Sequence, residues 1–580
     1  MRPARVWLVG VAFSAFLAQA LMPGYALSGA AGEVEPCASA WGGPLGERYG
    51  VASSHLKMYD TQTMDRELEA AAGAGLGWMR YNFAWPDLEP LPGYWVFDGT
   101  DMAVGKAEER GVKTLGILGG SPVWANGGKP WNYPPTDMAA WRSYVRTVCA
   151  RYRGRVSAWE VWNEENIEAF WASGPDPVAY TALLQAASQE IRAADPGATV
   201  VMGGLAGGLS FEYLYRCLQA GAADCVDAIA YHPYPETLGS AEYTPQEVKC
   251  RLIVEYMRGL ISPYAAGDIQ LWITEFGWTT CPQSPPGVDP GTQASYMLRS
   301  LINYAATDVD RVFWYMLRDA QDPPTEQYGL VRSDFARKPS YHYFATFQEV
   351  FGPAVSTAPG AVSFSCSRQG TLEAHGFRLP DGDLALAAWK SDDADDLLSI
   401  TVNDPSYRTL FAVDPFSGEK EVVPGAYRDA QGRLAVAGLA VGKEPLVIEA
   451  STAEPPACTF LFAEGYTGQG FEEWLCLLNP APSPTTAHVT YIFADGSTRA
   501  QDVPLGATTR RTLSVNDAVG PDREVSIQVT ADAPIVAERP MYFAYRGAWT
   551  GGHDVVGATS PRSTFLFAEG YTGQGFEEWL

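Results

Sequence analysis

Between positions 45 and 350 the apolar residues come in short, nearly continuous runs separated by stretches of helical period. Eight runs stand out: Tyr49–Ser53, Trp78–Asn82, Thr114–Leu118, Ser157–Trp162, Thr199–Met202, Ala228–Tyr231, Gln270–Thr274 and Arg311–Tyr315. Strands buried on both faces demand this pattern. Between the runs, Met64, Leu68 and Ala71 fall on one helical face, as do Tyr180, Leu183, Leu184, Ala187 and Ile191. Eight strand–helix units predict an α/β fold, a (β/α)8 TIM barrel spanning 45–350. A doubly wound open sheet is the competing fold. It would be expected to carry a Gly-rich phosphate loop after a strand. The nearest match, Gly203-Gly204-Leu205-Ala206-Gly207-Gly208, lacks that spacing and reads as a flexible loop after the fifth strand.

Beyond 350 the period changes from helical to two. In 355–450, Leu384, Leu386 and Ala388 alternate just after a turn signal at Asp381-Gly382, and Ser417-Gly418 marks another turn. This block reads as an accessory β-domain packed on the barrel. The linker Ala453-Glu454-Pro455-Pro456 separates it from a third block, 458–563. There Val489, Tyr491 and Phe493 alternate ahead of an Asp495-Gly496 hairpin turn, and Val525, Ile527 and Val529 alternate again. With no helical stretch in view, a β-sandwich is predicted. The segment TFLFAEGYTGQGFEEWL at 459–475 recurs unchanged at 564–580, so the third block is a repeat unit and 564–580 opens a second, truncated one. Tyr466, Phe471 and Trp474 in this segment suit either sugar binding or core packing.

Composition narrows the class. With 47% hydrophobic and 19% charged residues the chain is globular. Its 580 residues allow about three domains. A net charge of −26 repels phosphate backbones, so nucleic-acid binding is not expected. Residues 1–30 read as a signal peptide. Arg2 and Arg5 precede the apolar run Val6–Leu17, and Ala18-Gln19-Ala20 offers a cleavage site, with Ala26 and Ala30 as alternatives. An uncleaved anchor competes, because Leu21-Met22 lengthens the run. Nine cysteines suit an oxidising compartment, with Cys458 and Cys476 the best candidates to pair. Neither a CxxC nor an HExxH pattern occurs, so no zinc site is expected.

Catalytic groups of such barrels sit where strands end. The fourth run continues as Glu160-Val161-Trp162-Asn163-Glu164-Glu165-Asn166, and the seventh as Thr274-Glu275-Phe276-Gly277-Trp278. Each places a carboxylate at the end of an apolar run. Two carboxylates facing each other across a cavity are what glycosidic cleavage needs: one protonates the leaving oxygen, the other attacks the anomeric carbon or activates water. Strand alternation puts Glu160, Trp162 and Glu164 on one face and Glu165 on the other, with Glu160 too deep to meet a substrate. Trp85, Trp124, Trp131, Trp171 and Trp278 fall in loops beyond strand ends, where aromatic rings would form sugar subsites. Asp319 and Asp322 read as solvated loop acids.

The Trp-Asn-Glu and Thr-Glu-Phe-Gly-Trp motifs resemble those of the retaining glycoside hydrolases of the large (β/α)8 clan. Within the clan the chain looks most like the xylosidase/iduronidase family and its polysaccharide-cleaving relatives; the cellulase-like family is the near alternative. The resemblance implies Glu164 as acid/base and Glu275 as nucleophile. It implies Asn163 on the sugar 2-hydroxyl and Arg80 beside the nucleophile. It further implies His232 and Tyr234 lining the reacting subsite, with Tyr234 orienting the nucleophile, and Trp314 as a platform beneath the ring. Trp124 and Trp278 complete the expected substrate contacts. No cofactor is implied. The expected function is a secreted retaining glycoside hydrolase acting on a polysaccharide or oligosaccharide, held at the cell surface or extended outward by its C-terminal repeats. The rivals are an inactive carbohydrate-binding or surface-layer protein and a transglycosylase using the same residues.

Overall fold

The computed structural model describes residues 45–558 apart from the short stretches 54–55, 57–59, 208–209, 235–246, 266, 283–286, 322–325, 393, 424, 454–457 and 546–548. The expected leader at 1–30, most of the linker, Asp322 and the second repeat at 564–580 lie outside the described residues.

Eight parallel strands close into a barrel: β1 (Tyr49–Ala52), β2 (Trp78–Asn82), β3 (Lys113–Leu118), β4 (Ala158–Asn163), β5 (Thr199–Ala206), β6 (Ala228–His232), β7 (Gln270–Ile273) and β8 (Arg311–Tyr315). β1 pairs with both β2 and β8, which completes the ring. The helices Thr61–Gly73 and Pro177–Ala194 bury the faces that their periodicity marks. One difference lies in β5, which runs on through Gly203, Gly204, Leu205 and Ala206 rather than ending in a loop. The glycines serve close approach. A Cβ at Gly203 would lie 2.2 Å from a Glu165 carboxyl oxygen, and one at Gly204 would lie 2.1 Å from the His232 ring.

The lumen is filled in layers. Trp78, Leu115, Ala158, Val201, Ala228, Ala230, Trp272 and Phe313 form an apolar floor, with Trp78 edge-on to Trp272 at 5.8 Å. Strand period two then dictates what lies one pleat higher. Two residues above Trp78, Ala158, Ala230, Trp272 and Phe313 come Arg80, Glu160, His232, Thr274 and Tyr315. A polar layer therefore rests on a dry aromatic one, where charges interact strongly.

Residues 356–451 form a four-stranded and a six-stranded antiparallel sheet. The strand Leu384–Lys390 is buried throughout. Leu384, Leu386 and Ala388 enter the core between the sheets, while Ala385, Ala387 and Trp389 join the barrel's core cluster. The block thus packs on the barrel. Phe351 meets Phe377 edge-on at 5.7 Å, and His342 stacks on Phe416 at 4.4 Å.

Residues 458–556 form two four-stranded sheets around Leu475, Leu477, Val489, Tyr491, Val525, Ile527 and Val529. A five-residue helix, Val515–Val519, interrupts the all-β pattern, capped by the Ser514 side chain. The repeated segment is wired into its own unit. Thr467 donates to the Gly520 carbonyl at 2.7 Å, and Asn516 accepts from the Glu473 backbone at 2.8 Å. Tyr466 packs edge-on against Phe471 at 5.1 Å. The expected Cys458–Cys476 bridge is not formed: Cys476 carries a free thiol, with the Arg510 guanidinium 3.0 Å from its sulfur. Its outward position on a central strand explains this, since strand alternation turns it away from the core that the two sheets share. Among the described residues no helix is long and apolar enough to cross a membrane.

Candidate active site

Arg80 organises the polar layer. Its Nε and Nη2 donate to the two oxygens of Glu160 at 2.7 and 3.0 Å, its Nη1 donates to Glu275 Oε1, and Nη2 also donates to Asn163 Oδ1 at 2.7 Å. Burial alone would lower the Arg80 pKa, but the Glu160 and Glu275 charges outweigh it and hold the guanidinium charged. Glu160 receives a further donor, the Gly204 backbone N–H, at 2.8 Å. Because Asn163 spends its oxygen on Arg80, its amide NH2 is the end left to donate to a substrate hydroxyl.

The end of β4 departs from simple alternation. Trp162 (φ 74°) and Glu164 (φ 50°) both lie in the left-handed region, which costs of order 1–3 kcal/mol each for non-glycine residues. The first of these bends turns Trp162 out of the lumen, where its indole donates to the Phe170 carbonyl at 2.9 Å. Asn163 and Glu164 consequently both serve the barrel mouth. Glu160 and Trp162 therefore do not share a face as alternation predicts. The turn is tied to β5: the Glu164 N–H donates to the Gly204 carbonyl at 3.0 Å, and Asn166 clamps Ala206 by two hydrogen bonds of 2.8 and 2.9 Å. Glu165 points the other way, fully buried behind β5, where burial pushes its pKa well above the carboxylate range.

Glu275 lies two residues past the end of β7, after Thr274. Its Oε2 accepts from the Tyr234 hydroxyl at 2.8 Å, and Oε1 accepts from Arg80. Burial would raise its pKa. The opposing charges of His232 and Arg80, with the Tyr234 and Arg80 hydrogen bonds, bring it below the usual glutamate range. Tyr234 itself stays protonated, its pKa raised by burial and by the Glu275 charge, so it remains a donor. A carboxylate depressed in the folded state adds stability above the usual carboxylate range, and that stability is lost as pH falls through the folded value. Tyr234→Phe should remove one donor, raise the Glu275 pKa and move the acid limb of the kcat/KM profile to higher pH. An unmoved acid limb would contradict the contact.

His232, fully buried, places Nδ1 2.9 Å from Glu164 Oε1 and Nε2 2.9 Å from the Thr274 hydroxyl. Glu164, His232 and Glu275 each present one atom such that all three lie within 4.8 Å of one another. This trio has the chemistry to hold a divalent cation. Here, however, both Glu275 oxygens already receive donors and His232 Nδ1 is engaged by Glu164, so the protein's own groups balance the charge.

The expected aromatic subsites fare differently. Trp314 is fully buried and faces outward. Its indole donates to the Tyr328 carbonyl at 2.9 Å and its ring stacks with Trp278 at 6.2 Å, so neither ring meets a substrate. The reason is register: Phe313 occupies the floor, which turns Trp314 out and Tyr315 in. Tyr315, which faces the lumen in its stead, stands edge-on to Tyr234 at 6.3 Å. Trp314→Phe should cost about 1–3 kcal/mol of stability, read as a lower Tm, while leaving KM unchanged. Tyr315→Ala should raise KM. Trp85 and Trp171 are also buried, Trp124 is half-buried against Trp85 at 5.5 Å, and Trp131 is 52% exposed in the loop after β3. Asp319 is not solvated; it pairs with buried Lys338 at 2.8 Å. On sequence alone Glu160 is set aside as too deep and Thr274 has no role, though their position one pleat above the floor could have marked them.

Comparisons with known proteins bear on the barrel and its family. Residues 125–358 match the family model described as Glycosyl hydrolases family 39. A beta-xylosidase of Geobacillus stearothermophilus is 24% identical over 267 residues, which cover 42% of this chain and 52% of that protein. An endo-1,4-beta-xylanase C of Phanerodontia chrysosporium is 26% identical over 229 residues, 37% of this chain and 52% of its own. The chain thus spans about half the length of these curated relatives. A family 39 glycoside hydrolase from the gut symbiont Bacteroides cellulosilyticus superposes with a TM-score of 0.53 at 23% identity, over 70% of this chain and 82% of that one, which bears on the fold alone. The resemblance drawn from the ends of the fourth and seventh strands therefore holds: the chain is similar to the retaining (β/α)8 glycoside hydrolases, and over residues 125–358 it matches glycosyl hydrolases family 39.

Proposed function

We propose that the protein is a secreted retaining glycosidase that cleaves a polysaccharide or oligosaccharide by double displacement. The observation that carries this reading is the approach of Glu164 and Glu275. Their facing oxygens lie within 4.8 Å of one another. Retaining enzymes hold the two carboxyl groups about 5–5.5 Å apart, whereas inverting enzymes leave roughly 6.5–9.5 Å for a water. Glu275, kept ionised by Arg80, His232 and Tyr234, attacks the anomeric carbon while Glu164 protonates the leaving oxygen. Glu164 then takes a proton from the water that releases the sugar. Asn163 holds the 2-hydroxyl.

The two curated relatives named above are called a beta-xylosidase and an endo-1,4-beta-xylanase, so β-xylosidic bonds are the first substrate class to test. The basic, apolar start of the sequence supports export, and the repeat supports a role in extending or anchoring the barrel at the cell surface. The test is a panel of aryl glycosides, xylan and other polysaccharides incubated with purified protein. Product sizes are read by mass spectrometry and the first-formed anomer by proton NMR. A retained anomer supports the reading, an inverted one sinks the double displacement, and no release from any substrate favours an inactive carbohydrate-binding barrel. Longer products at high acceptor concentration would mark a transglycosylase.

A further inference from the structure

The polar layer is a chain of contacts that links the two carboxylates through the barrel floor side: Glu275, Arg80, Glu160, Thr274, His232, Glu164. Its least obvious member is Thr274, a neutral hydroxyl between a carboxylate and an imidazole. The direction of each hydrogen bond along this chain follows from what each group can do.

Glu160 takes three N–H donors, two from Arg80 and one from the Gly204 backbone. Thr274 approaches the same Oε1 at 3.3 Å. Toward this acceptor Thr274 presents its one proton, which leaves its oxygen with lone pairs for the 2.9 Å contact to His232 Nε2. His232 must then donate, so Nε2 carries a proton. In the neutral ring Nδ1 is consequently a bare lone pair, and it faces Glu164 Oε1 at 2.9 Å. Two lone pairs do not hold that distance, so one proton lies between them, and while it rests on Nδ1 the ring carries the positive charge that faces Glu275.

We propose that Thr274 is a positioning residue that fixes the His232 tautomer, so that a single proton is held between His232 Nδ1 and Glu164 Oε1 as the proton delivered to the leaving group. The inference rests on the glycosidase reading of the site. In the first step that proton goes to the glycosidic oxygen, the bond from that oxygen to the anomeric carbon breaks, and Glu275 forms a bond to the carbon. Glu164 is left as a carboxylate facing a lone pair, which makes it a stronger base. In the second step it takes a proton from water, the water oxygen bonds to the anomeric carbon, and the Glu275 bond breaks. The opposite tautomer would donate from Nδ1, stabilise the Glu164 carboxylate and blunt it as an acid. The other groups facing the ring do not set this choice. Glu275 Oε2 stands at 3.9 Å from Nδ1, the Tyr234 ring is edge-on at 6.5 Å, and the β5 residue against Nε2 is Gly204, which has no side chain.

The test compares Thr274→Val, which keeps the shape and removes the hydroxyl, with Thr274→Ser, which restores it. On aryl glycosides with poor leaving groups, kcat for Thr274→Val should fall on the order of 10- to 100-fold, within the usual reach of general acid catalysis. On dinitrophenyl glycosides, which need no proton, it should stay within about threefold of wild type. Thr274→Ser should recover most of the loss. In protein with 15N-labelled histidine, NMR should show the His232 proton on Nε2 in wild type and on Nδ1 in Thr274→Val. A loss equal across all leaving groups, or a wild-type ring with no proton on Nε2, overturns the inference. Glu164→Gln separates the two levels of the claim. If that variant turns over poor-leaving-group substrates normally, the glycosidase assignment itself falls. If it is impaired while Thr274→Val is not, only the role of Thr274 falls.

Discussion

Glu275→Ala is expected to abolish turnover of ordinary glycosides, by about four to six orders of magnitude, equivalent to ~5–8 kcal/mol of barrier. The bond to the anomeric carbon then has no nucleophile. The fold should survive, because Arg80 keeps both oxygens of Glu160 as partners and is not left as an unpaired buried charge. Azide enters the space vacated by the side chain and attacks directly, so added azide should restore turnover on activated substrates and yield a glycosyl azide of inverted configuration. A retained azide product would mean that the nucleophile is another group.

Glu164→Ala should behave in the opposite sense. On poor leaving groups the loss should reach about 100- to 10,000-fold, the span of general acid–base catalysis. On dinitrophenyl glycosides the first step should persist and the glycosyl-enzyme should accumulate, since no base remains to activate water. Azide needs no base and should release a product of retained configuration. Residue 164 keeps its φ of 50° with any L side chain, so Ala adds no backbone strain of its own, and Glu164→Gln serves as the control that keeps the size of the side chain. Near-normal rates for both Glu164 variants would remove Glu164 from the chemistry.

The barrel was legible because its strands are buried on both faces and so read as unbroken apolar runs. The positions of Glu164 and Glu275 at the ends of two such runs were legible for the same reason. What the runs concealed was orientation. Periodicity assumes regular φ, and the left-handed Trp162 breaks it, so one residue's turn decides that Asn163 and Glu164 both reach the mouth. Trp314 was misread for a related reason: being aromatic at a strand end does not show which face it takes, and Phe313 in the floor settles that it points out. The glycines of β5 looked like a flexible loop, because a sequence does not show that Glu165 and His232 press against them. Glu160 and Thr274 stand inside the two quoted stretches, yet nothing in those stretches assigns either a role. A carboxylate one pleat above an aromatic floor, level with Arg80 across the lumen, is meaningful only once strand register is known.

The central claim is that Glu275 bonds covalently to the sugar. The most direct test is trapping with a dinitrophenyl 2-deoxy-2-fluoroglycoside of the preferred sugar, whose fluorine slows release of the intermediate. After proteolysis, mass spectrometry should find the fluorosugar on the peptide that contains Glu275, with one dinitrophenolate released per protein molecule. Label on a peptide carrying Glu164 or Glu160 instead, or product formation with no labelled peptide at all, would contradict the account.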